Sequence, residues 1–216
     1  MNVLIPACGN DKQFQNEYWA KNVTEINGKP MIQYVIENFA LFADKRFIVL
    51  LNESECARFH TDNMVRLLAD GDCDIIKLRQ HTKGALCTSL LAIDLIDNED
   101  ELIISNNDQK YDCSMEALLQ NIRKQNVDGG VITFECIHPR WSYVRLEKGT
   151  VVEASEKRPI SKKAIAGLYY FKRGRDFVAA AKQAIMKNRS YQGNFYLSAS
   201  INEMILSGKI IKTAEV

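Results

Sequence analysis

The chain has 216 residues, 46% of them hydrophobic and 25% charged, the size and composition of one globular domain able to bury a substantial core. Basic and acidic residues number 28 and 27 and are intermixed, leaving a formal net charge of +1, which argues against a broad nucleic-acid or membrane surface. No segment approaches the roughly 20 apolar residues of a membrane helix and no basic leader precedes a long apolar run, so a cytosolic setting and a small, locally recognised partner are expected.

In chain order, residues 2–7 form a hydrophobic strand (Val3, Leu4, Ile5) that ends in the small-residue turn Pro6-Ala7-Cys8-Gly9. Such a turn exposes backbone N–H groups at the carboxyl end of a strand, where open α/β sheets hold phosphates. A long polar loop carrying Lys12 and Lys21 follows. Asn27-Gly28-Lys29-Pro30 then opens a helix at 30–41, with Pro30 suited to its first turn and Met31, Tyr34, Val35, Asn38 and Phe39 as a mostly apolar stripe. Strands are expected at 46–51, 74–78 and 101–105, with helices within 53–69 and at 85–96, a βαβ alternation that predicts a mainly parallel sheet. Asp112 is read as the cap of a helix beginning near Ser114. The second half gives short β runs at 130–135, 142–146, 151–154 and 165–171, read as an antiparallel extension of the same sheet, then helical spacing around Phe177 to Ile185 and Ile201 to Ile205. No linker, repeat or low-complexity segment divides the chain, so the halves are expected to be layers of one domain. The six cysteines (Cys8, Cys56, Cys73, Cys87, Cys113, Cys136) lack C-x-x-C spacing and read as reduced packing residues.

Pro6-Ala7-Cys8-Gly9-Asn10-Asp11-Lys12-Gln13-Phe14, Ala20-Lys21-Asn22-Val23 and Gly28-Lys29-Pro30-Met31-Ile32 occur in this order and spacing. Together they resemble the sugar-1-phosphate nucleotidyltransferase family, whose members open with a strand, an A-x-G-x-G-x-R-F loop, a P-K-x-L motif and a G-K-P-M-I helix start. The loop departs at two places: Asp11 stands for the second glycine, and Gln13 for the arginine that would clamp the triphosphate with its fork of donors. Lys12 offers a substitute charge, and Lys21 matches the lysine that contacts phosphates; its alternative is an ordinary solvated loop lysine. Gln80-His81-Thr82-Lys83-Gly84-Ala85 resembles the second nucleotide segment, with Gln80 reading a base edge and Gly84 admitting close backbone approach. His81 reads more simply as a surface or hydrogen-bonding residue.

Asn106-Asn107-Asp108-Gln109, at the end of the strand at 101–105, looks like the segment whose aspartate holds a divalent metal. One carboxylate suffices to start a Mg²⁺ site completed by phosphate oxygens and water, although a loop or capping role for Asp108 is the alternative. Glu156 and Lys157 resemble an E-K-P-like turn that contacts sugar hydroxyls and the acceptor phosphate, or else form a surface ion pair of little consequence. Ala166-Gly167-Leu168-Tyr169-Tyr170-Phe171 matches a strand whose glycine lets a sugar ring lie against the backbone. Glu203, Asn194 and Asn202 are the only late candidates for a second metal ligand. His138-Pro139-Arg140-Trp141 matches a subgroup, with Trp141 under the substrate loop or in a core or edge position.

The resemblance implies a single-domain, Rossmann-like α/β fold with a mixed, mainly parallel sheet flanked by helices, residues of about 1–112 holding the nucleotide and about 113–216 the acceptor. The implied reaction joins an NTP to a sugar 1-phosphate, releasing pyrophosphate, with Mg²⁺ as cofactor. Pro6, Ala7, Cys8, Gly9, Gln80 and Gly84 would bind the nucleotide, and Lys12, Lys21 and Asp108 would serve catalysis. Asn107, Glu156, Lys157 and Gly167 would bind the acceptor. Transfer to another phosphorylated acceptor, such as phosphocholine or a phosphonate, and a non-catalytic binding relative are the alternatives.

Overall fold

The computed structural model describes residues 1–9, 18–71 and 73–216. Lys12, Asp11 and Gln13 therefore lie outside the described residues. Strand β1 (Asn2–Pro6) is an inner strand of a sheet of nine strands among the described residues, between β4 (Arg46–Asn52) and β6 (Leu102–Ser105), with β5 (Cys73–Leu78) beyond β4, all parallel. Every β1 residue is buried, as a strand covered on both faces requires. Its side chains alternate: Leu4 packs with Ile48, Leu50, Leu102 and Ile104 in one core, and Val3 and Ile5 pack with Phe47, Val49 and Leu51 in the other. Helices α4 (Ala85–Leu90), α5 (Ile93–Ile96), α7 (Gly174–Met186) and α8 (Ser198–Leu206) cover the first core. The second is covered by α1 (Met31–Glu37), α2 (Glu53–Phe59), α3 (Thr61–Leu68) and α6 (Met115–Lys124).

The second half is less uniform than its sequence suggested. β8 (Ser142–Glu147), β9 (Thr150–Glu156) and β10 (Lys163–Phe171) are antiparallel as expected, but β7 (Gly129–Glu135) runs with the central strands. The reason is that β10 inserts between β6 and β7 and is antiparallel to both. A further strand, β11 (Ile211–Glu215), which sequence reading missed, pairs parallel with β7. Another short hairpin, β2 (Glu25–Ile26) and β3 (Lys29–Pro30), turns at Asn27 and Gly28, both at positive φ; Pro30 is thereby the N-cap of α1 rather than its first turn.

The helix expected within 53–69 is two. His60 adopts φ +54° between α2 and α3. In one continuous helix Cys56 and Val65, nine residues apart, would face opposite sides at about 100° per residue. The break turns both into the same core. The helix expected at 85–96 also divides, after Thr88 and Ser89 bond their hydroxyls back to the carbonyls of Gly84 and Ala85 at 3.2 and 2.8 Å, a pattern that loosens a helix. Asp112 does not cap α6: Ser114 Oγ accepts from the Ala117 N–H at 3.2 Å, and Asp112 pairs with Lys110.

Candidate active site

All four central strands end at one rim, and so do the segments that sequence reading singled out. On one side of β1, Pro6, Cys8 and Gly9 line a cavity of about 230 Å³ with His81, Thr82, Gly84, Ala85, Thr88 and Asn194. Ala7 lies behind this wall with its side chain buried. The Cys8 thiol is pushed up to about 12 by burial, reinforced by Glu55, so it is a neutral wall group rather than a thiolate. His81 is exposed and bridges the cavity's two arms, its Nδ1 3.4 Å from the Cys8 carbonyl oxygen. Gln80 is exposed at the end of β5 and lies outside the cavity lining.

Gly84 lines this cavity, and its lack of a side chain also serves the chain's own backbone. Its φ is +105°, and a Cβ there would meet the Phe195 carbonyl oxygen at 2.4 Å. The close neighbour is thus the chain's own backbone: Phe195 N–H donates to the Lys83 carbonyl at 2.7 Å, and Leu86 N–H to the Phe195 carbonyl at 3.1 Å. This clasp brings the loop at 193–197 against the start of α4.

At the centre of the rim, Lys21 and Asp108 meet across 87 positions, Lys21 Nζ donating to Asp108 Oδ2 at 2.7 Å. Lys21 begins a 3-10 turn (Lys21–Val23), and Asp108 follows the end of β6. Behind them, Asn22 Nδ2 donates to the Ala7 carbonyl at 2.9 Å and to Glu55 Oε2 at 3.2 Å, and Asn107 Nδ2 donates to Asn22 Oδ1 at 2.7 Å. Asn107, expected on the acceptor, is instead buried with its side chain turned inward to this network. Burial raises the Glu55 carboxyl above its ordinary range, against the hydrogen bond from Asn22.

Lys21 and Asp108 also belong to the wall of a second cavity of about 340 Å³, which Ala85 shares with the first. Glu156, Lys157 and Gly167 line it too, with Arg140 and Trp141. Glu156 Oε2 accepts from Ser142 Oγ at 2.5 Å and Ser198 Oγ at 2.9 Å; burial raises its carboxyl, against these two hydroxyls. Lys157 does not pair with Glu156 as a surface bridge would. It donates to the Tyr196 hydroxyl at 3.1 Å and lies 5.0 Å from that ring's centre, and although burial opposes its charge, this hydrogen bond and the Glu156 field hold its pKa above the ordinary lysine value. Gly167, at φ +75°, forms the bulge in β10, and its missing side chain leaves room for Gln109 and Asn106, whose atoms would be 2.2 and 2.7 Å from a Cβ. Trp141 faces the cavity while packing edge-on against Phe134 at 5.1 Å, so the lining and core roles coincide.

Among the described residues no group of three or more His, Cys, Asp and Glu converges. Asp108, with 37% of its side chain exposed at the cavity wall, still fits a Mg²⁺ that takes one protein carboxylate and completes its shell with phosphate oxygens and water. Glu203 does not fit, being buried and held by Lys187 Nζ at 2.5 Å, and Asn202 holds both backbone groups of Ala154 at 2.8 Å. The inward network of Asn22, Glu55 and Asn107 is what sequence reading missed. Its one available signal was an Asn beside each of the two expected charged groups.

A profile of the nucleotidyl transferase family matches residues 17–214. The chain is 26% identical over 208 residues to the bifunctional protein GlmU of Thermosipho africanus, covering 92% of this chain and 42% of that protein, so it spans less than half the length of this relative. Among solved structures, a nucleoside-diphosphate-sugar pyrophosphorylase from Vibrio cholerae superposes with a TM-score of 0.84 at 21% identity, over 99% of this chain and 91% of that one. An inositol-1-phosphate CTP transferase from T. maritima superposes at 0.75 and 11% identity, over 99% and 84%. These two establish the Rossmann-like nucleotidyltransferase fold.

Proposed function

The chain belongs to the nucleotidyl transferase family, and on that premise we propose that it joins an NTP to a sugar 1-phosphate, giving an NDP-sugar and pyrophosphate. The observation that carries this reading is the Lys21–Asp108 pair at 2.7 Å on the wall of a cavity that adjoins the small-residue turn after β1. A cation for the triphosphate and a carboxylate for its metal stand side by side where nucleotide and acceptor would meet. In the reaction an acceptor phosphate oxygen attacks the α-phosphorus in line, and the bond to the bridging oxygen of pyrophosphate breaks, that oxygen keeping the electron pair. The attacking group is already an anion, so no side-chain nucleophile or base is needed.

Asp108 would hold Mg²⁺, which when bound neutralises charge on the phosphates. Lys21 orients the triphosphate and offsets charge on the leaving group. Lys157 directs its ammonium at the acceptor phosphate, and Glu156, fixed by two serine hydroxyls, accepts from acceptor hydroxyls. Pro6, Cys8, Gly9 and Gly84 shape the nucleotide side, and Lys12 supplies the loop charge that the family's arginine gives elsewhere.

Transfer to a phosphorylated polyol or another non-sugar acceptor is the second reading, favoured by the fold likeness to an inositol-1-phosphate CTP transferase. A pyrophosphate-release screen of the four common NTPs against sugar 1-phosphates, inositol phosphate, phosphocholine and phosphonates tests both. Release with a sugar 1-phosphate is expected. Release with none, alongside NTP binding by calorimetry, would mark a non-catalytic relative, and absence of NTP binding with Mg²⁺ would remove the nucleotide reading as well.

A further inference from the structure

Three motifs far apart in sequence meet at the rim, and one buried amide touches all of them. The Asn22 side chain uses both of its polar atoms: its two amide protons go to Ala7 O at 2.9 Å and Glu55 Oε2 at 3.2 Å, and its oxygen receives Asn107 Nδ2 at 2.7 Å. Ala7 O belongs to the turn after β1, Asn22 follows Lys21, and Asn107 precedes Asp108. Neighbouring side chains diverge, so fastening residues 22 and 107 inward leaves Lys21 and Asp108 facing the cavity. Asn22, Glu55 and Asn107 are exposed by only 2, 7 and 7%, so water does not substitute for a lost partner without rearrangement.

Ala7 and Glu55 together make the arrangement directional. The Ala7 carbonyl can only accept, so Asn22 presents its NH₂ to Ala7 and Glu55 and its oxygen to Asn107, and this in turn fixes which way the Asn107 amide points. The other Glu55 oxygen, Oε1, is buried without a hydrogen bond of ordinary geometry among the described residues, with Asn52 and Thr61 beside the carboxyl. A fold needing only packing there would be served by an apolar side chain.

We infer that Glu55, Asn22 and Asn107 are positioning residues that set the spacing of Lys21 and Asp108 and tie both to the turn after β1. The role of that pair in transfer rests on the function proposed above, but the spacing itself is testable without turnover. Lys21, whose side chain is only 12% exposed beside Asp108, serves as reporter: its rate of acetylation by a small anhydride, read by mass spectrometry on the full chain, follows its release. Asn22→Leu, close in volume but unable to bond, is expected to raise Lys21 labelling by about tenfold, the loss of buried hydrogen bonds. Glu55→Leu is expected to do the same, whereas Glu55→Gln, which keeps an acceptor for Asn22, holds labelling within about twofold of the parent. Circular dichroism and melting select variants that remain folded, and Asn22→Asp replaces Asn22→Leu if the latter does not fold. Labelling unchanged in folded Asn22→Leu or Asn22→Asp and in Glu55→Leu overturns the proposal, whatever substrates the enzyme uses. With a working substrate pair, kcat is expected to fall by about a hundredfold with acceptor KM unchanged, as for a misplaced reacting geometry. A parent protein inert toward every pair defeats the functional reading and leaves the labelling result to decide this one.

Discussion

Gly84→Ala puts the clasp between the start of α4 and the loop at 193–197 to a quantitative test. Gly84 has φ +105° and ψ 169°, a region essentially reserved for glycine that costs any other residue about 1–3 kcal/mol. The new methyl would also lie 2.4 Å from Phe195 O and 2.9 Å from Phe195 N. Both neighbours are backbone, so relief requires the start of α4 to separate from residue 195. That separation breaks the Phe195-to-Lys83 and Leu86-to-Phe195 bonds of 2.7 and 3.1 Å, each worth about 1 kcal/mol net. Together the terms come to about 3–5 kcal/mol. For a domain of this size that lowers Tm by about 6–20 °C. Gly193→Ala is the matched control: φ is +77° but nothing lies within 4 Å of its Cβ, leaving only backbone strain of about 1–3 kcal/mol and a drop of about 2–12 °C. Paired thermal melts decide it. A Gly84→Ala protein melting no lower than Gly193→Ala would refute the claim that this glycine is required by the chain's own backbone.

Asp108→Asn is expected to lower Mg²⁺-dependent pyrophosphate release by on the order of a hundredfold, while Tm moves by no more than about 4 °C, because the amide oxygen still accepts from Lys21 and only the charge contribution of the bond, about 1 kcal/mol, is lost. Melting curves across acid to neutral pH should show Glu156→Gln gaining on the parent as pH rises. Burial raises the folded carboxyl above its unfolded value, so its stabilising contribution is present below the ordinary glutamate range and is lost as pH climbs through the folded value; a constant gap would exclude this. Iodoacetamide at neutral pH should alkylate the exposed Cys113 in the native protein and leave Cys8, buried with its thiol at about 12, unmodified until denaturant is added. Peptide mapping reads both sites.

The parallel half of the fold was legible because β1, β4 and β6 are short apolar runs bounded by turn residues, as Val3, Leu4 and Ile5 before Pro6-Ala7-Cys8-Gly9 show. Lys21 and Asp108 were legible as separate motifs, each at a strand or loop end where ligands bind. What joins them was not. The Asn22–Glu55–Asn107 network depends on side chains separated by 33 and 85 positions, and nothing in the local pattern around Glu55 distinguishes it from a surface glutamate in a first helical turn. The break at His60 escaped notice for a related reason, since no Gly or Pro marks it and only the demand that Cys56 and Val65 share a core creates it. β11 was invisible because Ile211 to Glu215 has too short an alternation to read as a strand without its partner β7.

The reversed strand β10 also governs the order in which this protein can assemble. β7 has one flank against β10 and the other against β11, so neither partner exists when the chain first reaches residue 135. Until residues 163–171 arrive, β6 and β7 both present unpaired backbone edges, the kind that recruit foreign strands. Pairing then proceeds by insertion of β10 between two waiting strands, followed by β11, which raises contact order and slows folding. The same insertion carries Gly167 to the rim, its carbonyl accepting from Asn106 N at 2.9 Å. The cavity beside Asp108 is therefore among the last features to form, and a nascent chain that displays a finished turn after β1 still lacks the wall that β10 gives that cavity.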